Sequence, residues 1–483
     1  MSEPVRLLLA TARAHLDGSP FAAQLDGIAA RLDGPLRVAI AGRVKAGKST
    51  LLNALIGERL APTDAGECTT IVSWYREGIS YEVDALHRNG SAVDVPFTRR
   101  DGALVMDIGG LDPAAIERLD VSWPSSALRH LTLIDTPGLA SLHDEHSART
   151  REFLAMGDDR ASDADAVIYL MRHLHQRDAE FLGAFCDRGV AASSPVNAIG
   201  VLSRADEIGA GRLDAIDSSA RVAARYAASP DVQALCSTVI PIAGLLAETG
   251  QTWQEPEAAA IRTLAATPIA QLELMLVSAD EFVDTAACEL TVEVRRALLA
   301  RLGMFGVRHL VTEVASGRVT TAGDMSRSLV QRSGLSTLRE HIERQLLPRA
   351  QVLKDRSALV ALRDVARRLQ TSQPDSARWL AGEVERVEAL THEFGLLRAG
   401  HLVATGMVAL RPAERDEVTR ALAGDPVAST SAAALDGVER WRTRGSDPLV
   451  DGAFAEVAQT MARSYEAAYA AGGGGSEPTK RGM

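Results

Sequence analysis

The stretch from Pro35 to Gly57, PLRVAIAGRVKAGKSTLLNALIG, decides how the chain is read. Its first part is a short apolar, β-branched run that stops at Gly42, as a buried central strand does. Its last part reads as a helix. Between them stands Gly42-x-x-x-x-Gly47-Lys48-Ser49, and a glycine-rich loop in that setting lets backbone N–H groups turn toward phosphate oxygens. The helix N-terminus adds its positive dipole end. The loop of Gly42, Arg43, Val44, Lys45, Ala46, Gly47, Lys48, Ser49 and Thr50 is therefore a predicted phosphate cradle. Within it Lys48 is placed to reach the β- and γ-phosphates, and the Ser49 hydroxyl to ligate magnesium.

Working outward, similar apolar runs return at HLTLID, DAVIYLM, NAIGVLS and TVIPIAG, with helix-like stretches between most of them. That alternation predicts an α/β fold with a mainly parallel sheet. Between Trp74 and Val121 the pattern changes to alternation around Asn89-Gly90, a hairpin signal, which adds antiparallel strands at one edge and makes the sheet mixed. Beyond about Trp253 strand signals fade. Long stretches at Ala258 to Val277, Val283 to Leu302, Leu338 to Leu369, Asp375 to Leu397 and Asp451 to Ala471 read as bundle-length helices. Val5 to Leu32 reads as two helices broken by Gly18 and Pro20. The expected organisation is N-terminal helices (1–34) packing on a helical bundle, a nucleotide domain (35–252), the bundle or stalk itself (253–470) and a disordered tail (471–483).

Asp135-Thr136-Pro137-Gly138 follows the strand LTLI, which puts the carboxylate at the strand's C-terminal edge, where ligands bind in open α/β sheets. As a lone motif it is an ordinary turn. Behind a phosphate cradle it reads as a magnesium and switch element, with Asp135 holding the metal and the Gly138 amide sensing the γ-phosphate. In the intervening ECTTIVSWYREG, Thr69 or Thr70 can complete the magnesium shell, against the plainer reading of two β-formers ahead of a strand. Ser203-Arg204-Ala205-Asp206 follows the strand NAIGVL. Guanine-specific sites use [NT]-K-x-D: Asp206 matches the carboxylate that takes the guanine N1 and N2 hydrogens, and Arg204 can lay its planar guanidinium along the base. Ser203 departs from the pattern, which keeps an ATPase as an alternative. In PIAGL, Ala243 can supply a backbone amide to the guanine oxygen.

Composition narrows the remainder. The chain has 483 residues and a net charge of -11, with pI about 5.6. Interspersed charges of this balance argue against nucleic acid as a partner. Cys68, Cys186, Cys236 and Cys288 form no paired metal-ligand spacing, and a reducing cytoplasm fits them. The N-terminus reads as an amphipathic helix and not as a signal peptide. No apolar stretch reaches the roughly 18 to 20 residues that span a bilayer. Residues 394 to 411, with FGLLRAGHLVATGMVAL between two predicted helices and Arg398 and Arg411 beside it, offer a tip able to lie among lipid headgroups. The alternative is a helical hairpin inside the bundle core.

GRVKAGKSTLLNALIGE, ECTTIVSWYREG, LIDTPGL and VLSRADEIG together resemble the dynamin-like GTPases of bacteria, and in particular the isoniazid-inducible dynamin-like proteins of mycobacteria. RALLARLGMFGVRHL and SGLSTLREHIERQLLPRAQVLKDRSAL look like the start of that group's helical region. The likeness runs from Pro35 to Leu369. It implies a GTPase head on a helical stalk, hydrolysis of GTP to GDP with Mg2+, and head-to-head dimerisation of like or related subunits. It also implies membrane remodelling or fusion from the cytoplasmic side, peripheral at the inner face of the plasma membrane. The register of ECTTIVSW favours Thr69 over Thr70. The family needs no His or Gln base, so His143 and His146 read as polar residues of a switch loop. Lys45 stands where eukaryotic dynamins have serine and cation-dependent relatives have asparagine. Its ammonium can neutralise charge between the β- and γ-phosphates, or it can simply face solvent. The competing class is a GTP-dependent switch or scaffold whose helical half binds a protein partner.

Overall fold

The computed structural model describes residues 3–62, 71–100, 102–137, 163–173, 182, 197–233, 235–285, 289–404 and 406–473. Its strands are β1 (Leu36–Gly42), β2 (Ser73–Glu77), β3 (Glu82–His87), β4 (Ala92–Asp94), β5 (Phe97–Arg100), β6 (Ala103–Met106), β7 (Ile116–Trp123), β8 (Leu131–Asp135), β9 (Ala166–Met171), β10 (Ala198–Ser203) and β11 (Val239–Ile242). Nine form one sheet in the order β11-β10-β9-β1-β8-β2-β7-β3-β4, and β5 pairs with β6 apart from it. From β8 to β11 the strands run parallel. β2 turns antiparallel to β8, and β3 is antiparallel to both β7 and β4. The Asn89-Gly90 turn joins β3 to β4, with Gly90 at φ 84. The sheet is thus mixed, as the sequence predicts. β9 and β10 are buried along their whole length, which is why they read as continuous apolar runs instead of alternating ones.

Six helices border the nucleotide site or hold the N-terminal pair: α1 (Glu3–His15), α2 (Ala22–Asp33), α3 (Lys48–Ile56), α4 (Gly244–Gln251), α5 (Val292–Ala315) and α6 (Ala350–Leu369). Of the later helices, α5 begins after the expected Val283 and runs beyond Leu302, the last spans Gly452–Gly473 much as expected, and the other three are broken. Pro268 divides the expected Ala258 to Val277 helix into Glu255–Ala265 and Ile269–Met275. Pro348 sits in a short tight turn, Leu347–Arg349, ahead of α6. Thr391 adopts an extended backbone that separates Pro374–Leu390 from His392–Ala404. Each break removes or misdirects a helical hydrogen bond without interrupting the apolar periodicity.

Three apolar cores occupy the helical half. Helices from 255 to 333 share one with the sheet domain, where Leu264, Phe282, Phe305 and Leu310 pack with Ala205, Ala243 and Leu246. The N-terminal pair lies in another, Leu8, Leu9, Leu25 and Leu32 packing on Leu359, Leu362, Leu380 and Phe394. At about 1.5–3 kcal/mol per fully buried aliphatic side chain, those four leucines alone hold the pair firmly. Lys354 Nζ also donates to the carbonyls of Leu32 at 2.7 Å and Gly34 at 3.0 Å, closing the C-terminal end of α2, whose carbonyls lack helical partners. The third core gathers Leu402, Val408, Leu410, Trp441, Phe454 and Met461.

Of the two readings of 394–411, packing in the last two of these cores favours the helical hairpin inside the bundle and corrects the lipid-facing tip. Phe394, Leu397, Ala399, Leu402, Val408 and Leu410 are all buried, and Arg398 pairs with Glu456 at 2.7 Å. The apolar stripe is spent on packing; among the described residues of the segment, Met407 is the one exposed large apolar side chain. Among the described residues, no helix is long and apolar enough to cross a membrane. The tail from 474 onward lies outside the described residues.

Candidate nucleotide site

The parallel block brings three motifs to one edge. β1 ends at Gly42, β8 at Asp135 and β10 at Ser203, and the register pairs Ile40 with Asp135 and Gly42 with Leu170. Gly42 has φ 147, and a Cβ there would lie 2.5 Å from the Leu170 carbonyl oxygen, so both backbone and space demand glycine. The loop then returns into α3 through Gly47 at φ 97.

Lys48 is buried, its Nζ 3.5 Å from the carbonyl oxygens of Gly42 and Arg43. Burial lowers its pKa, and the Asp135 carboxylate opposes that shift. Burial pushes the Asp135 carboxyl upward, against the pull of Lys48 and the Ser49 hydrogen bond. Ser49 Oγ donates to Asp135 Oδ2 at 2.7 Å. The other oxygen, Oδ1, is buried with no hydrogen-bond partner among the described residues. A hydroxyl and a buried carboxylate with an unspent oxygen form a hard, oxygen-only donor set, which fits magnesium. Thr136 pins this turn to β1, its Oγ1 donating to the Ile40 carbonyl at 2.9 Å.

The base motif meets the cradle across a cavity of about 120 Å³ lined by Gly47, Thr50, Ser203, Arg204, Asp206 and Leu245 among others. Asp206 sits in a short turn, Ala205–Glu207, and is buried. Its carboxyl is pushed up to about 6, chiefly by burial; Glu207 adds to the rise, while its own backbone amide and Arg204 hold it back. Ser203, in place of the usual Asn or Thr, donates from Oγ to the Met171 carbonyl at 3.3 Å and so ties β10 to β9. Arg204 bridges the two motifs: Nη2 donates to the Lys45 carbonyl at 3.0 Å, and Nη1 to Glu207 at 2.5 Å. Both ends of that bridge are left-handed, Lys45 at φ 61 and Arg204 at φ 55. The Lys45 side chain is exposed at the cradle mouth.

One expected contact is already taken. The Ala243 amide donates to the Ser333 carbonyl at 2.9 Å, so it does not face a base. Gly244 and Leu245, which line the cavity, are in the first turn of α4, where amides have no acceptor within the helix. Thr69, Thr70, Gly138, His143 and His146 lie outside the described residues.

Asn53 is a residue that motif reading passes over. Its Oδ1 accepts from the amides of Leu60 (2.9 Å) and Ala61 (2.7 Å), and its Nδ2 donates to the Ala61 carbonyl and to Glu248. One buried amide thereby joins α3, the loop after it and α4. The signal present in the sequence is an asparagine inside the apolar helix LLNALI.

The chain is similar to several known proteins. The signature of the Dynamin family matches residues 38–184. Isoniazid-induced protein IniC of Mycobacterium tuberculosis is 38% identical over 458 residues, covering 92% of each chain. GTPase Era of Acidimicrobium ferrooxidans is 30% identical over 169 residues, 35% of this chain and 40% of its own. A solved structure of an oligomerised bacterial dynamin pair aligns with 96% of this chain and 73% of that one, at 12% identity and a TM-score of 0.35. Given its phosphate cradle, the base motif facing it and a full-length relative at this identity, the chain belongs to the bacterial dynamin-like GTPases, with the isoniazid-induced proteins.

Proposed function

We propose that this GTPase hydrolyses GTP with a magnesium ion held by Ser49 and Asp135 and completed by Thr69. The observation that carries the reading is the Ser49–Asp135 pair, with one buried carboxylate oxygen unspent beside Lys48. Magnesium, held by Ser49 and Asp135, would supply Lewis-acid stabilisation of the charge on the phosphate oxygens. Lys48 and the loop amides from Gly42 to Thr50 hold the phosphates and stabilise charge that develops on them. The Gly138 amide senses the γ-phosphate. Asp206, ionised, accepts from guanine N1 and N2, Arg204 lies along the base, and the Gly244 or Leu245 amide takes the guanine oxygen. Lys45, exposed at the mouth, adds a fixed cation to the γ-phosphate side.

The proposed division is a head over 35–252 and a helical part over 253–470 with the N-terminal pair (1–34) packed on it. Heads pair in the GTP state, with a copy of this chain or a related subunit, and the cycle does peripheral membrane work. GTP turnover measured against protein concentration, with and without liposomes, tests the reading. Turnover per molecule should rise with both; a flat profile would instead favour a slow switch serving a protein partner.

A further inference from the structure

Helix α5 contains one residue with non-helical backbone, Gly303, at φ 61 and ψ 175. That region is open essentially to glycine alone. The kink faces the base motif: a Cβ on Gly303 would lie 3.5 Å from Asp206 Oδ2 and 4.0 Å from Leu245 Cδ1. Five residues on, Arg308 spends its guanidinium on backbone. Nη1 donates to the carbonyls of Ala210 (3.1 Å) and Gly211 (2.7 Å), Nε and Nη2 to that of Leu276 (3.0 and 2.7 Å), and Nη2 to that of Val277 (2.9 Å). A guanidinium has five N–H donors, so none is left over.

The loop it grips is strained. Gly209, Ala210 and Gly211 have φ of 64, 60 and 69 in succession, and Ala210 carries a side chain in a region that costs about 1–2 kcal/mol for an L-residue. Gly211 also lies against α5, where a Cβ would be 3.3 Å from the Phe305 amide nitrogen. This loop begins at Asp206. A strained segment persists only where its surroundings over-determine it, and here they are α5, which holds the loop through Arg308 and against Phe305, together with the helix Ala215–Ala227, which packs on the Ala205–Glu207 turn.

We propose that α5 sets the position of the guanine-reading carboxylate, with Gly303 shaping the wall behind Asp206 and Arg308 clamping the loop that carries it. Arg308 is then a specificity-determining positioning residue some hundred residues from the motif it serves. Any movement of α5 is felt at the base, and base occupancy is felt by α5. The inference rests on the proposed role of Asp206 in reading guanine.

The test compares GDP with IDP, which lacks the N2 amine that only a well-placed Asp206 can reward. Affinities of both are measured for the full chain, Arg308→Gln and Asp206→Asn by displacement of a fluorescent nucleotide, with pyrophosphate as a base-free competitor and thermal melting alongside. Arg308→Gln should cut the GDP-over-IDP preference at least fivefold while pyrophosphate binding stays within twofold. An unchanged preference with lowered melting would overturn the proposal, leaving Arg308 a purely structural clamp. Should the wild type itself treat GDP and IDP alike and Asp206→Asn alter neither, the guanine reading falls. Should Asp206→Asn abolish a preference that Arg308→Gln retains, only the role of Arg308 falls. If Arg308→Gln does not fold, Arg308→Lys, which keeps the charge but not the fork, reports the same ratio.

Discussion

Acidity should separate this protein's grip on guanine from its grip on phosphate. Asp206 must be ionised to accept from two base N–H groups, yet burial has raised its carboxyl to about 6 in the nucleotide-free protein. If only the ionised form binds, the apparent Kd for GDP rises by the factor 1 + 10^(pKa − pH). That factor is about 1 at pH 7.5 and about 11 at pH 5, whereas a carboxyl at the ordinary aspartate value of about 3.9 would give a change of about 10% or less over the same interval. Phosphate groups titrate nearby, so the measured quantity is the ratio of GDP affinities for wild type and Asp206→Asn, in which the phosphate contribution cancels. The ratio should fall about tenfold from pH 7.5 to 5. Stability of the nucleotide-free protein has the opposite sign. A carboxyl raised on folding binds its proton more tightly in the folded state, so its contribution is present below the unfolded pKa and is lost as pH rises through about 6. The melting difference between wild type and Asp206→Asn should therefore move against wild type over that window. A GDP affinity ratio that stays constant from pH 7.5 to 5 would refute the buried-carboxylate reading.

Gly42→Ala places a methyl 2.5 Å from the Leu170 carbonyl oxygen at a φ of 147; nucleotide binding should be undetectable by fluorescent-nucleotide titration, and retained affinity would contradict the cradle geometry. Lys45→Ala should lower kcat with little change in KM for GTP, as expected of a charge that acts late on the γ-phosphate; an unaltered kcat removes Lys45 from the chemistry. Asn53→Ala leaves two amides and the Glu248 carboxylate without their shared partner and should cost about 2–4 kcal/mol in chemical denaturation. Leu402→Asp puts a charge into the third apolar core, so it should lower the melting temperature sharply; a variant that melts like the wild type would contradict the packed reading of 394–410.

The head was legible because its signals are local. A β-branched run before Gly42, a carboxylate after LTLI and an aspartate after NAIGVL each sit at a strand's C-terminal end, and a parallel sheet must gather such ends on one edge. What stayed hidden depends on partners far away in sequence. Nothing near PIAGL reveals that the Ala243 amide is already bonded to Ser333. RLGMFGVRHL keeps helical spacing through Gly303, so the kink leaves no trace in periodicity. The stripe at 394–410 carries equal apolar content whether it faces lipid or Trp441 and Met461, and only the arrangement of the later helices decides between them.

The lysine that closes α2 also imposes an order of events on synthesis. Lys354 is 322 residues downstream of the Leu32 carbonyl it caps, and Leu359, Leu362 and Phe394, which cover Leu8, Leu9 and Leu25, come later still. At 5–20 residues per second, translation leaves the first two helices waiting about 16–64 s for the surface they dock on. Through that interval their leucines have only each other to pack on, and the core of the sheet domain is itself incomplete until Leu335, Leu338, Ile342 and Leu353 arrive. The helix pair is thus fixed in place only after Lys354 and Phe394 have been made, and its docking then joins β1 to the bundle.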